Sequence, residues 1–418
     1  MGAEPPPILS AACVILTPNA FGDEYPDGIT MTTENRWLLP EGIDELLPEQ
    51  AGRLEALRRD LLDQCATWGY RYVIPPLVEF TDSLLVGLGA DLDLVTCKFT
   101  DQMSGRMLGV RADITPQAAR IDAHSLGEAG VTRLCYAGST LQTVPQASGV
   151  GRSPIQLGAE VFGSASIEAD TEVITLLLSL LANAEVEAAV TLDIGHIGIY
   201  DALFSEALPE SEIERQVFDA LQRKSGPDIE RLAALLPPEV ATKLQQLASL
   251  HGSPDVLQRA RDVFAGQEVV QHALDDLEKV LARVRDGFPN VGLYVDLTEL
   301  RGFRYHTGLV FAVYLEGRGS AVAKGGRYDS IGAVFGRDRP ATGFAIDLKA
   351  LVEDARRFPS VGSLIIAPQG ADPGLLAAIS ALRAAGHRVV ADLGDGVESV
   401  DAQRLVLKEG EWVVEESS

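Results

Sequence analysis

The strand-forming pattern of this chain stops once, for a long stretch, and then resumes. Short β-branched and aromatic runs come first: "YRYVIPPLVEF", "LGVRADIT", "TRLCYAGSTLQ", "SPIQLGAEVFG" and "VEAAVTLDIG", with helical patterns in "TPQAARIDAHSL" and from Glu168 to Asn183. From about 198 to 288 the pattern is almost wholly helical, rich in Leu, Ala, Gln and Glu and punctuated by Pro209, Pro227, Pro237-Pro238 and Pro254. Strand pattern then returns in "VGLYVDLTEL" and "HTGLVFAVYLEG". That order is not the regular βαβα alternation that builds a doubly wound parallel sheet. It predicts an α+β fold, with an antiparallel sheet flanked by helices and a helical insertion over about 198–288.

The flanks give the remaining divisions. Leu54, Leu57, Leu61, Leu62 and Cys65 recur at helical spacing, and Gly69 is placed to stop that helix. Pro75-Pro76 cannot donate to a ladder and marks an edge, a bulge or a strand end. Near Phe358 a small αβ unit begins, with "VGSLIIAP", a helix in "ADPGLLAAISALRAAG", "HRVVADL" and a hairpin in "RLVLKEGEWVVEESS" that turns at Gly410. Residues 1–34 show little periodicity, and "MTTENRWLLPEG" from Met31 reads as a natural start. The expected division is therefore 1–34 as a disordered or mis-assigned extension, 35–357 as the core, and 358–418 as a short C-terminal αβ segment.

Charge narrows the function classes. Sixty Asp and Glu face 35 Lys and Arg, a formal net charge of −25. Most of such a surface repels a phosphate backbone, there is no dense basic run, and Arg58-Arg59 sits within an amphipathic helix, so nucleic acid is not the expected partner. The longest apolar run, Val173 to Ala182, suits a buried helix rather than a membrane span. Cys13, Cys65, Cys97 and Cys135 form no C-x-x-C pair. They are expected to be reduced thiols in the cytoplasm, with no metal and no disulfide framework.

Two stretches carry candidate chemistry. In "SPIQLGAEVFG", strand alternation sets Gln156, Gly158 and Glu160 on one face, with the glycine leaving room between two polar groups. They could bind a small polar ligand, or form a buried polar pair or face water. In "LRGFRYHTGLVF", Arg301 could grip a carboxylate bidentately, while a charged hairpin edge is the plainer reading. The Gly325-Gly326 pair fits neither a dinucleotide-binding nor a P-loop pattern.

"QLGAEVFG", "RGFRYHTGLVF", "GGRYD" and "GFAIDLKAL" occur in the order seen in histidyl-tRNA synthetases, and "LPEGIDELLPE" resembles their opening segment. The resemblance covers about residues 35–355. It implies a class II synthetase core with a dimer surface near residues 49–80. The departures are selective. The family's second motif holds ATP with an Arg and a Glu in "FRxE"; here Leu141 and Thr143 stand at those positions. Its third motif ends "GLER"; here "DLKA" puts Asp347 at the glycine and Ala350 at the arginine. Positioning ATP depends on cationic groups that leucine and alanine cannot supply.

The resemblance also implies an amino-acid pocket that survives. Asp113 and Thr115 match the acid and Thr of "LRPEGT", Gln156 and Glu160 match the histidine-contacting pair, Arg301 matches the arginine beside the carboxylate, and Tyr305 and His306 stand at the two tyrosines of "RGLDYY". About sixty residues after Phe358 are too few for a synthetase's anticodon-binding domain. A synthetase core lacking both resembles the regulatory subunits of ATP phosphoribosyltransferase. That implies a non-enzymatic chain, without cofactor, that activates a short catalytic subunit in the first step of histidine biosynthesis and relays feedback by L-histidine. The competing readings are an active histidyl-tRNA synthetase and a stand-alone amino-acid-sensing or tRNA-binding protein.

Overall fold

Helix Pro48–Thr67 turns Leu54, Leu57, Leu61 and Cys65 inward, at the spacing their sequence pattern requires. It ends where Gly69 takes a positive φ of 83° and its N–H closes on the Ala66 carbonyl. The computed structural model describes residues 37–415 apart from 86–88, 146–150, 206, 209–211, 300–305, 330, 359–363 and 395–401. The expected extension over 1–34 lies outside these residues, as do Arg301 and Tyr305.

A nine-stranded sheet forms the centre, in the spatial order Arg71–Tyr72, Thr132–Ser139, Ile155–Phe162, Ala341–Asp347, Ala323–Arg327, Leu309–Leu315, Val190–His196, Gly292–Asp296 and His251–Gly252. From Thr132–Ser139 across to Val190–His196 every pairing is antiparallel. The margins differ from the sequence expectation. Arg71–Tyr72 joins its neighbour in parallel, and so does Gly292–Asp296, so the whole sheet is mixed. In each parallel pair the two strands are joined by a long crossing, as parallel pairing requires. Pro75-Pro76 marks a strand end: pairing stops at Tyr72 and resumes at Val78, in a separate three-stranded sheet of Val78–Phe80, Lys98–Thr100 and Met107–Val110.

Helix Ile167–Asn183 covers one face of the large sheet. Its Val173, Ile174, Leu177 and Leu181 share a core with Leu157, Ala159, Val161, Leu192 and Phe344. Burying each such side chain contributes roughly 1.5–3 kcal/mol. The insertion is helical, as its pattern predicts, but it is not a detached body. Leu221, Leu232, Leu244, Val256 and Leu277 belong to that same core. The insertion also supplies the sheet's edge strand, His251–Gly252, which is too short to show any alternation in sequence.

The C-terminal segment has its own sheet, ordered Arg388–Ala391, Leu364–Ala367, Gln403–Lys408 and Glu411–Glu415, and its own core of Ile365, Ala367, Leu375, Val389 and Leu405. Asp372 caps helix Pro373–Ala384 by accepting from the Leu375 N–H. The closing hairpin turns through Glu409 and Gly410, both at positive φ. No described helix is long and apolar enough to cross a membrane.

Candidate functional site: a buried carboxyl network on the open face of the sheet

Strand Ile155–Phe162 sends Leu157, Ala159 and Val161 into the helix-covered core, so Gln156, Gly158 and Glu160 point to the opposite face. Three glycines flatten that face. A Cβ at Gly158 would lie 2.4 Å from the Tyr136 ring, so this tyrosine lies across it. Gly343, the register partner of Glu160, would place a Cβ only 1.5 Å from Glu160 Oε2. Gly326, the partner of Gly343, sits beneath the His306 ring, whose Cδ2 is 2.8 Å from a Cβ there. A side chain at any of these positions would displace the polar group above it.

The polar groups form one network. Tyr136 Oη donates to Glu160 Oε1 at 2.9 Å, and the Tyr328 hydroxyl donates to Glu160 Oε2. Thr115 Oγ1 lies 3.0 Å from Tyr136 Oη and is left as the donor in that pair, because Tyr136 spends its proton on Glu160. The Ile114 N–H donates to Gln156 Oε1 at 3.1 Å, and the Thr115 N–H donates to Asp113 Oδ1 at 3.1 Å. Asp113, Thr115, Gln156 and Glu160 are therefore neighbours, and His306 borders them across two strands.

Glu160 is fully buried, and burial lifts its carboxyl to about 8 against the opposing pull of the Tyr328 and Tyr136 hydroxyls. Burial also raises Asp113, although the Thr115 N–H favours its anion. A carboxyl poised near 8 is largely protonated at neutral pH and can share that proton with a basic ligand. Each carboxyl oxygen accepts one tyrosine hydroxyl and has a further lone pair to offer. Tyr136 and Tyr328 were not among the residues expected at this site. Both lie inside the motifs "TRLCYAGSTLQ" and "GGRYD", but only the fold shows that they meet on one carboxylate.

The four positions that the resemblance set against ATP-binding residues are engaged in structural contacts. The Leu141 N–H donates to the Arg111 carbonyl at 3.0 Å, and Thr143 Oγ1 donates to the Leu94 carbonyl at 2.9 Å. Asp347 caps helix Leu348–Asp354 through the Lys349 N–H at 3.0 Å, and Ala350 packs against the main core. None of the four offers a cation. Arg111 is buried, and it donates to the Ser139 and Pro75 carbonyls at 2.8 Å each, tying the proline segment to the site.

Residues 42–351 match the histidyl-tRNA synthetase family model, and residues 362–415 match a model of the C-terminal domain of the HisZ subunit of ATP phosphoribosyltransferase. A protein named ATP phosphoribosyltransferase regulatory subunit from Marinobacter nauticus is 49% identical over 392 residues, covering 92% of this chain and 99% of that one. Its namesake from Pseudomonas syringae pv. tomato is 50% identical over 393 residues, with the same shares covered. The chain belongs to the ATP phosphoribosyltransferase regulatory subunit family. Among solved structures, one titled ATP phosphoribosyltransferase regulatory subunit/histidyl-tRNA synthetase, from Bacillus halodurans, matches with a TM-score of 0.77 at 26% identity, covering 88% of this chain and 97% of that one. A histidyl-tRNA synthetase from Nostoc, at 19% identity and a TM-score of 0.69 over 87% of this chain and 88% of that one, shares the fold. Membership accounts for a synthetase-like core followed by a C-terminal unit with its own family model.

Proposed function

We propose that this chain is the non-catalytic regulatory subunit of ATP phosphoribosyltransferase in the first step of L-histidine biosynthesis, acting in the cytoplasm. Its partner on this reading is the short catalytic subunit. The carrying observation is selective: the pocket's Asp113, Thr115, Gln156 and Glu160 are linked to Tyr136 and Tyr328, while Leu141, Thr143, Asp347 and Ala350 are engaged in backbone, capping and core contacts.

L-histidine is the ligand we assign to this pocket, with Arg301, Tyr305 and His306 completing it. Its imidazole would share the Glu160 proton, and its ammonium would face Asp113. Regulation then means that histidine binds one conformational state more tightly than another. Self-association is assigned to the surface beside helix Pro48–Thr67, where Ile74 is 77% exposed and Tyr72 and Leu77 are also exposed. We take 35–357 as the synthetase-like core, 358–418 as the C-terminal αβ unit and 1–34 as an extension.

The test is co-purification with a separately expressed short catalytic subunit, measuring turnover with and without this chain and with added histidine. Complex formation, activation, and inhibition by histidine are expected. No complex and unchanged turnover would overturn the reading. Histidine-dependent pyrophosphate exchange by this chain alone would replace it with an active synthetase.

A further inference from the structure

His306 and Glu160 share a floor of two glycines. Glu160 Oε2 reaches over Gly343, where a Cβ would lie 1.5 Å from it, and the His306 ring lies over Gly326, where a Cβ would lie 2.8 Å from Cδ2. Gly343 and Gly326 are register partners on adjacent strands. Adjacent strands stand about 4.8 Å apart, so the carboxyl and the imidazole sit side by side above residues that have no side chain.

His306 is half-buried, and the next residue, Thr307, is exposed. Thr307 brackets Tyr328, the tyrosine that donates to Glu160 Oε2. On one side the Thr307 N–H donates to the Arg327 carbonyl at 2.8 Å, and on the other the Asp329 N–H donates to Thr307 Oγ1 at 3.0 Å. Gly308 continues the contact. A Cβ there would lie 3.0 Å from Arg327 Cδ and 3.3 Å from Arg327 Cβ, so the chain after Thr307 lies along the arginine stem.

The strand end to which Thr307 is fastened is itself tied down. Arg327 is buried, and its guanidinium donates to Asp170 Oδ2 at 3.0 and 2.8 Å, to Asp329 Oδ1 at 3.0 Å, and to the Ser164 and Ser166 carbonyls at 3.1 Å each. A planar guanidinium engaged on so many sides has one orientation. Asp329 Oδ1 also accepts from the Ala341 N–H at 3.1 Å. Ser164 and Ser166 follow the strand that carries Glu160, and Ala341 opens the strand that carries Gly343. Arg327 and Asp329 therefore join the three strands beneath the pocket. The exposed bond from Asp329 to Thr307 adds little to overall stability, because water competes for both groups. Its effect is local: it sets where residue 306 stands relative to Tyr328.

We propose that Thr307 is a positioning residue for the amino-acid pocket: its hydroxyl, held by the Asp329 N–H, fixes the His306 imidazole beside the Glu160 carboxyl. In "GGRYD", Arg327 and Asp329 are then the anchor, and Tyr328 is the donor to Glu160. This rests on the reading that the pocket binds an amino acid, and the experiment separates the two.

Thr307→Val keeps the branched shape and removes the acceptor, and Thr307→Ser restores it. The chain has six histidines, so carbon-13 labelling of the histidine rings gives a simple NMR spectrum, with His306 assigned by its loss in His306→Gln. In the full chain, Thr307→Val is expected to shift or broaden the His306 ring signal and to leave the other histidine signals and the thermal unfolding midpoint unchanged. L-histidine affinity by calorimetry is expected to fall about threefold to tenfold, as loss of one neutral hydrogen bond implies. Thr307→Ser should recover both, and Thr242→Val, which removes an exposed hydroxyl from the helical insertion, should change neither. An unmoved His306 signal overturns the proposal. So does a moved signal with unchanged affinity, a change spread over all the histidine signals, or a loss that serine does not restore. Should Thr307→Val give no soluble protein, Thr307→Ala carries the same comparison. If the unaltered chain binds no L-histidine, the pocket reading fails, and the ring signal still decides whether Thr307 positions His306.

Discussion

Replacing Glu160 with glutamine should change how the stability of this chain depends on pH, and the magnitude follows from one buried group. The Glu160 carboxyl moves from 4.5 to about 8 on folding. Below 4.5 it is protonated in both folded and unfolded chains and contributes no pH dependence. Between 4.5 and 8 the unfolded chain gives up the proton while the folded chain keeps it, so stability falls as pH rises. Above 8 both forms are ionised and the curve flattens. One pKa unit corresponds to 1.36 kcal/mol, so the fall accumulates to about 5 kcal/mol, with about 3 kcal/mol reached by pH 7. Glutamine keeps the shape and does not titrate. Its own cost, from rearranging hydrogen bonds to Tyr136 and Tyr328, is the same at every pH. Urea unfolding of both proteins at half-unit steps from pH 4.5 to 9 gives the difference curve. Glu160→Gln should gain on the parent steadily up to about pH 8 and then run parallel to it. Parallel profiles over the whole range would refute the assignment of a protonated, desolvated carboxyl.

Gly343→Ala would place a methyl group 1.5 Å from Glu160 Oε2, so the carboxyl must leave its site; the difference curve should then lose most of its slope, read by the same unfolding series. Tyr328→Phe removes a hydroxyl that lowers the Glu160 pKa, and should cost roughly 1.5–3 kcal/mol at high pH while moving the flattening point above 8. Arg339→Ala leaves Asp122 buried without the guanidinium that grips both its oxygens at 2.9 and 2.8 Å, and should cost about 3–5 kcal/mol by thermal unfolding. Arg71→Ala, which breaks an exposed pair with Glu128 at 2.6 Å, should leave the thermal unfolding midpoint unchanged.

The alternation of Gln156 and Glu160 with Leu157, Ala159 and Val161 can be read directly from the sequence, because a strand has no other way to dispose of its side chains. The helix spacing of Leu54, Leu57 and Leu61, and the proline break after Tyr72, are equally local. So is the uncharged chemistry of Leu141 and Ala350, which the resemblance sets at positions that hold ATP in synthetases. The strand His251–Gly252 was not legible: two residues hold no period, and it exists only because the insertion folds back against Gly292–Asp296. Nor did any pattern announce the parallel edges of the sheet, since strand direction depends on where each chain segment returns.

The kind of fold this is can be read from the residues alone: an α+β core interrupted by helices, strongly acidic, and resembling a class II synthetase. Which polar groups meet is a product of the folded chain. Tyr136 and Tyr328 lie 192 positions apart and close on the two oxygens of Glu160, and Lys224 crosses from the insertion to Asp296. Local pattern reports how a segment is shaped and which side it buries. The charge state of a buried carboxyl depends on which distant segments exclude water from it and donate to it, and that is settled only when the sheet has closed.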